Sequence, residues 1–503
     1  MLRDDEEVIA AAKQTRPGPR ERALTLCVVC SALFLALLDS TVVALALPTV
    51  RRDLDADLTG LQWIVEGYVC PYAALLPTGG FLGDRFGRRR VFLAGMAVFT
   101  AGSVLCAVAG SVEVLTAGRA VQGVGAAAVT PQTLALLSQV FPGERERAKA
   151  LSTWSAVSGL ALLLGPVAGG SSAELLGWRS VFLLNVPVGV FALAAGRRLS
   201  APAASGPGRP FDGKGQLLVV ACLGPATYGL VEGPRTGWTS APVAAALVLA
   251  GAAALALLSV ERRTPHPALR LDFFRRPVFT GAMSVTFLMA VALNTAYLVL
   301  SLLLQVLDGA SPAQAGMRLL PTMVAIVVGA VVAGRAARRL APWQLVAVGT
   351  SLAGLSLLSV AALAPGHSYA LWWPGATLMG LGMGLVMSPN NGAVIGGVRP
   401  EDAGQAAAMG GVLQQVGALL GVASLGAVLG SAALEGRAAT APAGLASGLR
   451  NGLLLAGVCC LLATAATVVL TRARREDASG TARSRSGGST AVRPGTDAAG
   501  DHG

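Results

Sequence analysis

The sequence predicts an all-α polytopic membrane protein, and three observations carry that expectation. The chain of 503 residues is 53% hydrophobic and only 13% charged, a balance that soluble domains do not show. Its apolar residues gather into fourteen runs, each of about 20 residues and so long enough to cross about 30 Å of hydrocarbon as a helix. The Lys and Arg residues alternate between dense and sparse from one connecting segment to the next. A transmembrane β-barrel would need short alternating strands instead of these continuous runs. The 63 glycines suit close helix packing in lipid.

A polar start, 1–22, lacks the layout of a cleavable signal peptide, so the first apolar run reads as a retained span. Six spans follow within 23–200, near 23–47, 61–83, 91–110, 112–140, 148–174 and 180–198. The Pro-, Gly- and Ser-rich stretch RRLSAPAASGPGRPFDGKG (197–215) then reads as a linker. Two further spans near 216–232 and 241–260 form an insert, so that 201–276 holds linkers and a two-helix pair. A second basic linker, ERRTPHPALRLDFFRRP, leads into six more spans within 277–471, near 278–305, 316–334, 343–364, 369–389, 405–432 and 447–471. The polar remainder, 472–503, is rich in Gly, Ser and Arg and is expected to be disordered.

Of the 39 Lys and Arg residues, 31 fall on the side that holds the termini and seven on the other, with Arg119 inside a span. By the positive-inside rule both termini are cytoplasmic. The same distribution accounts for the net charge of +12 without a basic patch for nucleic acid. The seven cysteines lie in expected spans without metal-ligand spacing, and the three histidines are far apart. No Ser/His/Asp group, metal site or phosphate loop is present in the pattern, so an enzyme is not expected.

Three charges interrupt the apolar interior: Asp39, Glu66 and Arg119. Ionisable groups in hydrocarbon are costly and mark pathways and proton relays. At 1.5 Å per residue, all three lie roughly 8–12 Å below the outer end of their spans. One network of the three is therefore expected, with a formal sum of −1 that one proton would neutralise. Its alternatives are proton coupling and a static ion pair.

The loop GGFLGDRFGRRRVF (79–92) resembles the G-x-L-x-D-R-x-G-R-R/K loop of the major facilitator superfamily through Gly80, Asp84, Arg85, Gly87, Arg88 and Arg89. LLDSTVVALALP (37–48), QWIVEGYVCPYAALLP (62–77), AGRAVQGVGAA (117–127) and WRSVFLLNVPVG (178–189) resemble segments of its fourteen-span drug:proton antiporters. SGLALLLGPVAGG (158–170) resembles the antiporter motif through Gly165, Pro166, Gly169 and Gly170. Ala44 and Ala161 depart from the usual Asn and Gly, and GRAARRLAPW (334–343) lacks the acid of the second-half latch.

The resemblance implies the major facilitator fold: two six-helix bundles plus two extra central helices, fourteen transmembrane helices in all. It implies a cytoplasmic latch in the 79–92 loop, a leak-limiting bend in the fifth span, and proton transfer through Asp39, Glu66 and Arg119. It also implies a multi-pass protein of the bacterial cytoplasmic membrane, without a cofactor, that draws on the proton gradient. Cargo is expected near the midplane between the bundles, where Gln122, Asn294, Tyr297, Gln414 and Gln415 are the candidate polar groups. The partners expected are a proton, lipid and a small lipophilic drug such as a puromycin-like or methylenomycin-like antibiotic, handled by a monomer. Export of an endogenous metabolite on the same fold and a non-transporting receptor remain alternatives.

Overall fold

The computed structural model describes residues 18–141, 143–199, 212–264, 270–364, 368–399, 402–434 and 442–487. Every regular element among them is helical. The first bundle comprises α1 (Pro19–Leu54), α2 (Leu58–Phe86), α3 (Arg88–Ala107), α4 (Val112–Val140), α5 (Glu144–Leu176), α6 (Arg179–Leu183) and α7 (Asn185–Gly196). The insert is α8 (Gly213–Thr236) and α9 (Ala241–Glu261). A 3₁₀ turn (Leu271–Arg275) precedes the second bundle: α10 (Pro277–Leu302) with a π turn (Leu303–Leu307), α11 (Pro312–Ala336), α12 (Pro342–Leu363), α13 (Tyr369–Gly396), α14 (Ala403–Leu434) and α15 (Pro442–Gly487).

Helices thus stand at all fourteen expected segments, with α6 and α7 sharing one. Among the described residues twelve helices are long and apolar enough to cross a membrane. The helices α2 and α5 fall outside that set, although at 29 and 33 residues they have the length. The last helix runs to Gly487, so part of the tail expected to be disordered from 472 continues α15; its Ala, Arg and Glu residues are good helix formers. The expected N-tail up to residue 17, the linker 200–211 and residues 488–503 lie outside the described residues.

Local chemistry sets the helix ends. Asp57 caps α2 by accepting from the Gly60 amide at 2.6 Å, and Ser311 and Gln314 form a capping box on α11. Gly87, at φ +93°, separates α2 from α3 in a conformation that side-chain-bearing residues avoid. The break between α6 and α7 falls at Leu184. Pro187 explains it, because its ring clashes with the carbonyl four residues earlier and it offers no N–H.

The bundles meet mainly at the end away from the termini. Across that seam Tyr297 donates to the Thr41 carbonyl at 3.3 Å and Ser301 to the Ala44 carbonyl at 3.1 Å. The Ala313 amide donates to Glu174 at 3.1 Å, and Gln62 to the Val422 carbonyl at 3.4 Å. An apolar cluster that includes Leu47, Val50, Leu61, Leu303 and Leu304 spans the same region. Helix α8 lies against both α2 and α14, whereas α9 leans on α8 and exposes Val248, Leu249 and Leu255, as a lipid-facing helix would.

Candidate functional site

In the first bundle a buried polar network is built on α1, α3, α4 and α7. Asp39 and Arg119 are 2% and 1% exposed and form an ion pair through Oδ2 and NH1. Asp39 Oδ1 also accepts from Asn185 at 2.8 Å and from Gln122 at 3.2 Å. Gln122 in turn accepts from Arg119 at 2.8 Å and donates to Ser103 at 2.8 Å. The Arg119 Nε donates to the Ile64 carbonyl at 3.3 Å, and the guanidinium lies 4.4 Å from the centre of the Tyr68 ring, a cation–π distance. Both oxygens of Asp39 and the Nε and NH1 groups of Arg119 are thus engaged inside the bundle. Such a network favours one geometry over others, and breaking any member leaves a costly orphan.

Glu66 does not join this network, which corrects the expected cluster of three. Similar depth does not mean similar direction. Gly67 and Tyr68 present their side of α2 to Arg119, whereas Glu66 is turned towards Ala423 of α14. Glu66 is fully buried on the seam with α14. The backbone amide of Ala423 on α14 is the donor that faces its carboxylate.

The expected cavity residues separate similarly. Gln122 belongs to the Asp39 network. Asn294 donates to the Ala290 carbonyl of its own helix at 2.9 Å. Tyr297 reaches across to α1. Gln414 is exposed and Gln415 half-buried on α14. Four partners escaped the sequence reading: Asn185, Ser103, Tyr68 and the cross-bundle Gln62. Asn185 carried a usable signal as a lone amide in an apolar span; the others look like ordinary helix residues.

The expected 79–92 loop is helical except at Gly87; within it Asp84 accepts from Arg88 at 3.0 Å, Arg85 lies 5.9 Å from the Phe86 ring centre, and Arg89 donates to the Arg197 carbonyl. These partners all belong to the first bundle. Gly80 sits against Pro131, 3.9 Å from where a Cβ would stand. Gln132 binds the loop's approach by donating to the Gly79 carbonyl at 2.7 Å. On α5, a Cβ at Gly165 would strike Thr41 and one at Gly169 would strike Val42, both on α1. One at Gly170 would strike the Pro312 carbonyl of α11 in the other bundle. The Pro166 side chain lies outside the described residues.

Two bundles of long apolar helices with a buried ion pair in one of them fit a polytopic membrane transporter. A family model described as Major Facilitator Superfamily matches residues 29–422, and the chain belongs to that family. It is a multi-pass plasma-membrane protein. The chain is 36% identical to the methylenomycin A resistance protein of Streptomyces coelicolor over 84% of this chain and 88% of that one. It is 33% identical to the tetracenomycin C resistance and export protein of Streptomyces glaucescens over 84% and 78%. A solved structure, that of the POT family transporter PepTSo, shares the fold with a TM-score of 0.67 at 16% identity, over 91% of this chain and 99% of that one.

Proposed function

We propose that this protein is a proton-driven exporter of lipophilic small molecules, antibiotics among them, and confers resistance on the cell that carries it. Self-resistance in an antibiotic producer fits relatives named for methylenomycin A and tetracenomycin C resistance. In this reading the chain crosses the cytoplasmic membrane fourteen times with both termini inside, as the 31-to-7 distribution of basic residues favours. It acts as a monomer and uses the proton gradient, with no cofactor.

The observation that carries the proposal is the buried Asp39–Arg119 pair, because a proton on Asp39 cannot bind without loosening it. The conformation in hand is closed at the end away from the termini, which makes it the form that receives cargo from the cytoplasmic side. A proton arriving from outside neutralises Asp39 and frees Arg119, Gln122 and Asn185 to rearrange. That changes how α1 and α7 sit on α4, and with them the seam that α1 makes with α10. Release of the proton inward restores the pair. The 79–92 loop acts as the latch on the cytoplasmic side, and the α5 glycines hold α5 close to α1 and α11.

Inverted vesicles with an imposed ΔpH test this directly. Addition of puromycin or a cationic dye should dissipate ΔpH with wild type and not with Asp39→Asn. Equal dissipation by the variant would sink the role of Asp39. Silence of the wild type towards every drug would move the cargo to an endogenous metabolite.

A further inference from the structure

We infer that Pro48, Ser301 and Gln305 form a clasp that holds the two bundles shut at the end away from the termini; this goes beyond the exporter reading and does not depend on what is exported. Pro48 lies inside α1, which continues past it to Leu54. A proline has no N–H, so the carbonyl four residues earlier, that of Ala44, loses its helical donor. A buried carbonyl left in this way needs a partner from elsewhere. The Ser301 hydroxyl of α10 supplies it at 3.1 Å, across the seam between the bundles. Both ends are buried, Ala44 at 8% exposure and Ser301 at 0%.

Gln305 aims that donor. Its side-chain amide donates to Ser301 Oγ at 3.0 Å. One acceptor position of the hydroxyl is thereby taken, and its single hydrogen is left for Ala44. Gln305 stands in the π turn Leu303–Leu307, a departure from the α-helix that recurs at functional sites. Leu47, Leu298 and Leu302 belong to the apolar cluster of this seam. In such surroundings a hydrogen bond is strong and an orphaned carbonyl is costly.

Two comparisons show what is particular to this contact. The Tyr297 hydroxyl crosses the same seam to the Thr41 carbonyl at 3.3 Å. That carbonyl can also take the N–H of Leu45 within the helix, so Tyr297 adds to an acceptor already served. Pro131 frees the Ala127 carbonyl in the same manner as Pro48 frees Ala44, but Gly79 of α2 lies against it, so that contact stays inside one bundle. Only the Ala44 contact of these three joins a freed acceptor to a donor from the other bundle. When the seam opens, water can take the Ala44 carbonyl, and Ser301 can turn to the Tyr297 carbonyl of its own helix. The bond is therefore firm while dry and readily exchanged once wetted, as a reversible clasp must be. Asp39 stands on the same stretch of α1, so disturbing its pair acts on the segment that carries the clasp.

The test is hydrogen–deuterium exchange read by mass spectrometry on full-length protein in detergent, with no cargo added. Segments 49–54 and 303–310 report the seam, and 345–361 inside α12 is the control. Ser301→Ala should speed exchange in the seam segments about two- to tenfold and leave the control as in wild type. Gln305→Leu should act in the same direction and less, and Tyr297→Phe least. Pro48→Ala returns an N–H to α1, so adding Ser301→Ala to it should change seam exchange by less than about twofold. Wild-type exchange in Ser301→Ala overturns the clasp, and so does an equal gain from Ser301→Ala with and without Pro48. Should Ser301→Ala or Pro48→Ala fold poorly, as a lowered thermal midpoint would show, Gln305→Leu against Tyr297→Phe decides, and a larger gain from Tyr297→Phe overturns the assignment. The exporter reading fails separately, through vesicles silent to every drug while the exchange pattern holds.

Discussion

Asp39 and Glu66 are both carboxylates, both buried, and both in the first two helices, yet their surroundings are opposite. Asp39 sits inside one bundle among Arg119, Gln122 and Asn185. Glu66 sits between bundles with no cation beside it, facing the Ala423 backbone amide. Burial alone therefore does not assign a role to an intramembrane acid. One acid is paired with a cation inside its bundle; the other has no cation and lies against the second bundle.

The sharpest way to break this comparison is at Arg119. Arg119→Met should leave the Asp39 carboxylate buried without its cation, costing about 3–5 kcal/mol of stability. The double variant Asp39→Asn with Arg119→Met should regain most of that loss and still fail to couple transport to ΔpH. Thermal unfolding in detergent together with vesicle ΔpH recordings reads both, and a stable Arg119→Met would show that the pair does not hold the bundle.

A smaller effect sharpens the contrast. Asn185→Leu removes one donor from Asp39 and should cost about 1–3 kcal/mol. Glu66→Gln, which breaks no ion pair and keeps an oxygen to accept from the Ala423 amide, should leave the unfolding midpoint equal to wild type or above it. A larger loss from Glu66→Gln than from Asn185→Leu would invert the assignment.

The smallest effect belongs to a partly exposed group of three charges. Arg270 holds Asp272 at 2.8 Å and Asp402 at 2.9 Å before α10. Its hydrogen bonds to Asp272 keep that carboxyl below the ordinary carboxylate range. A lowered folded value means the contribution is present above the unfolded value near pH 4 and is lost as pH falls through the folded one. Arg270→Ala should therefore cost at most about 1 kcal/mol at neutral pH, and the Asp272 share of that difference should vanish in acid. Unfolding midpoints of both proteins across pH 3–7 check the sign.

Much of the fold was legible because lipid imposes a simple rule. Backbone groups must be satisfied within each spanning segment, so long apolar runs become helices, and α1 through α15 fall where those runs do. The Gly87 turn and the close seats of Gly165 and Gly169 were legible for a similar reason, since few residues other than Gly fit there. The direction in which Glu66 points was less so. A depth estimate uses rise along the helix axis, and it needs helix phase and the identity of the neighbour as well. Asn185 was hidden differently: its partner Asp39 is 146 residues away, and no local pattern links the two.

The sequence by itself determined a helical membrane protein, the positions of its helices, and that Asp39, Glu66 and Arg119 had to be accounted for, because hydrophobicity and charge act over single segments. Only the tertiary structure decided that Arg119 takes Asp39 and leaves Glu66, that Gln122 and Asn185 complete the pair, and that α8 lies against α2 and α14. Those outcomes depend on which helix faces which, and that is fixed by packing between segments far apart in the chain.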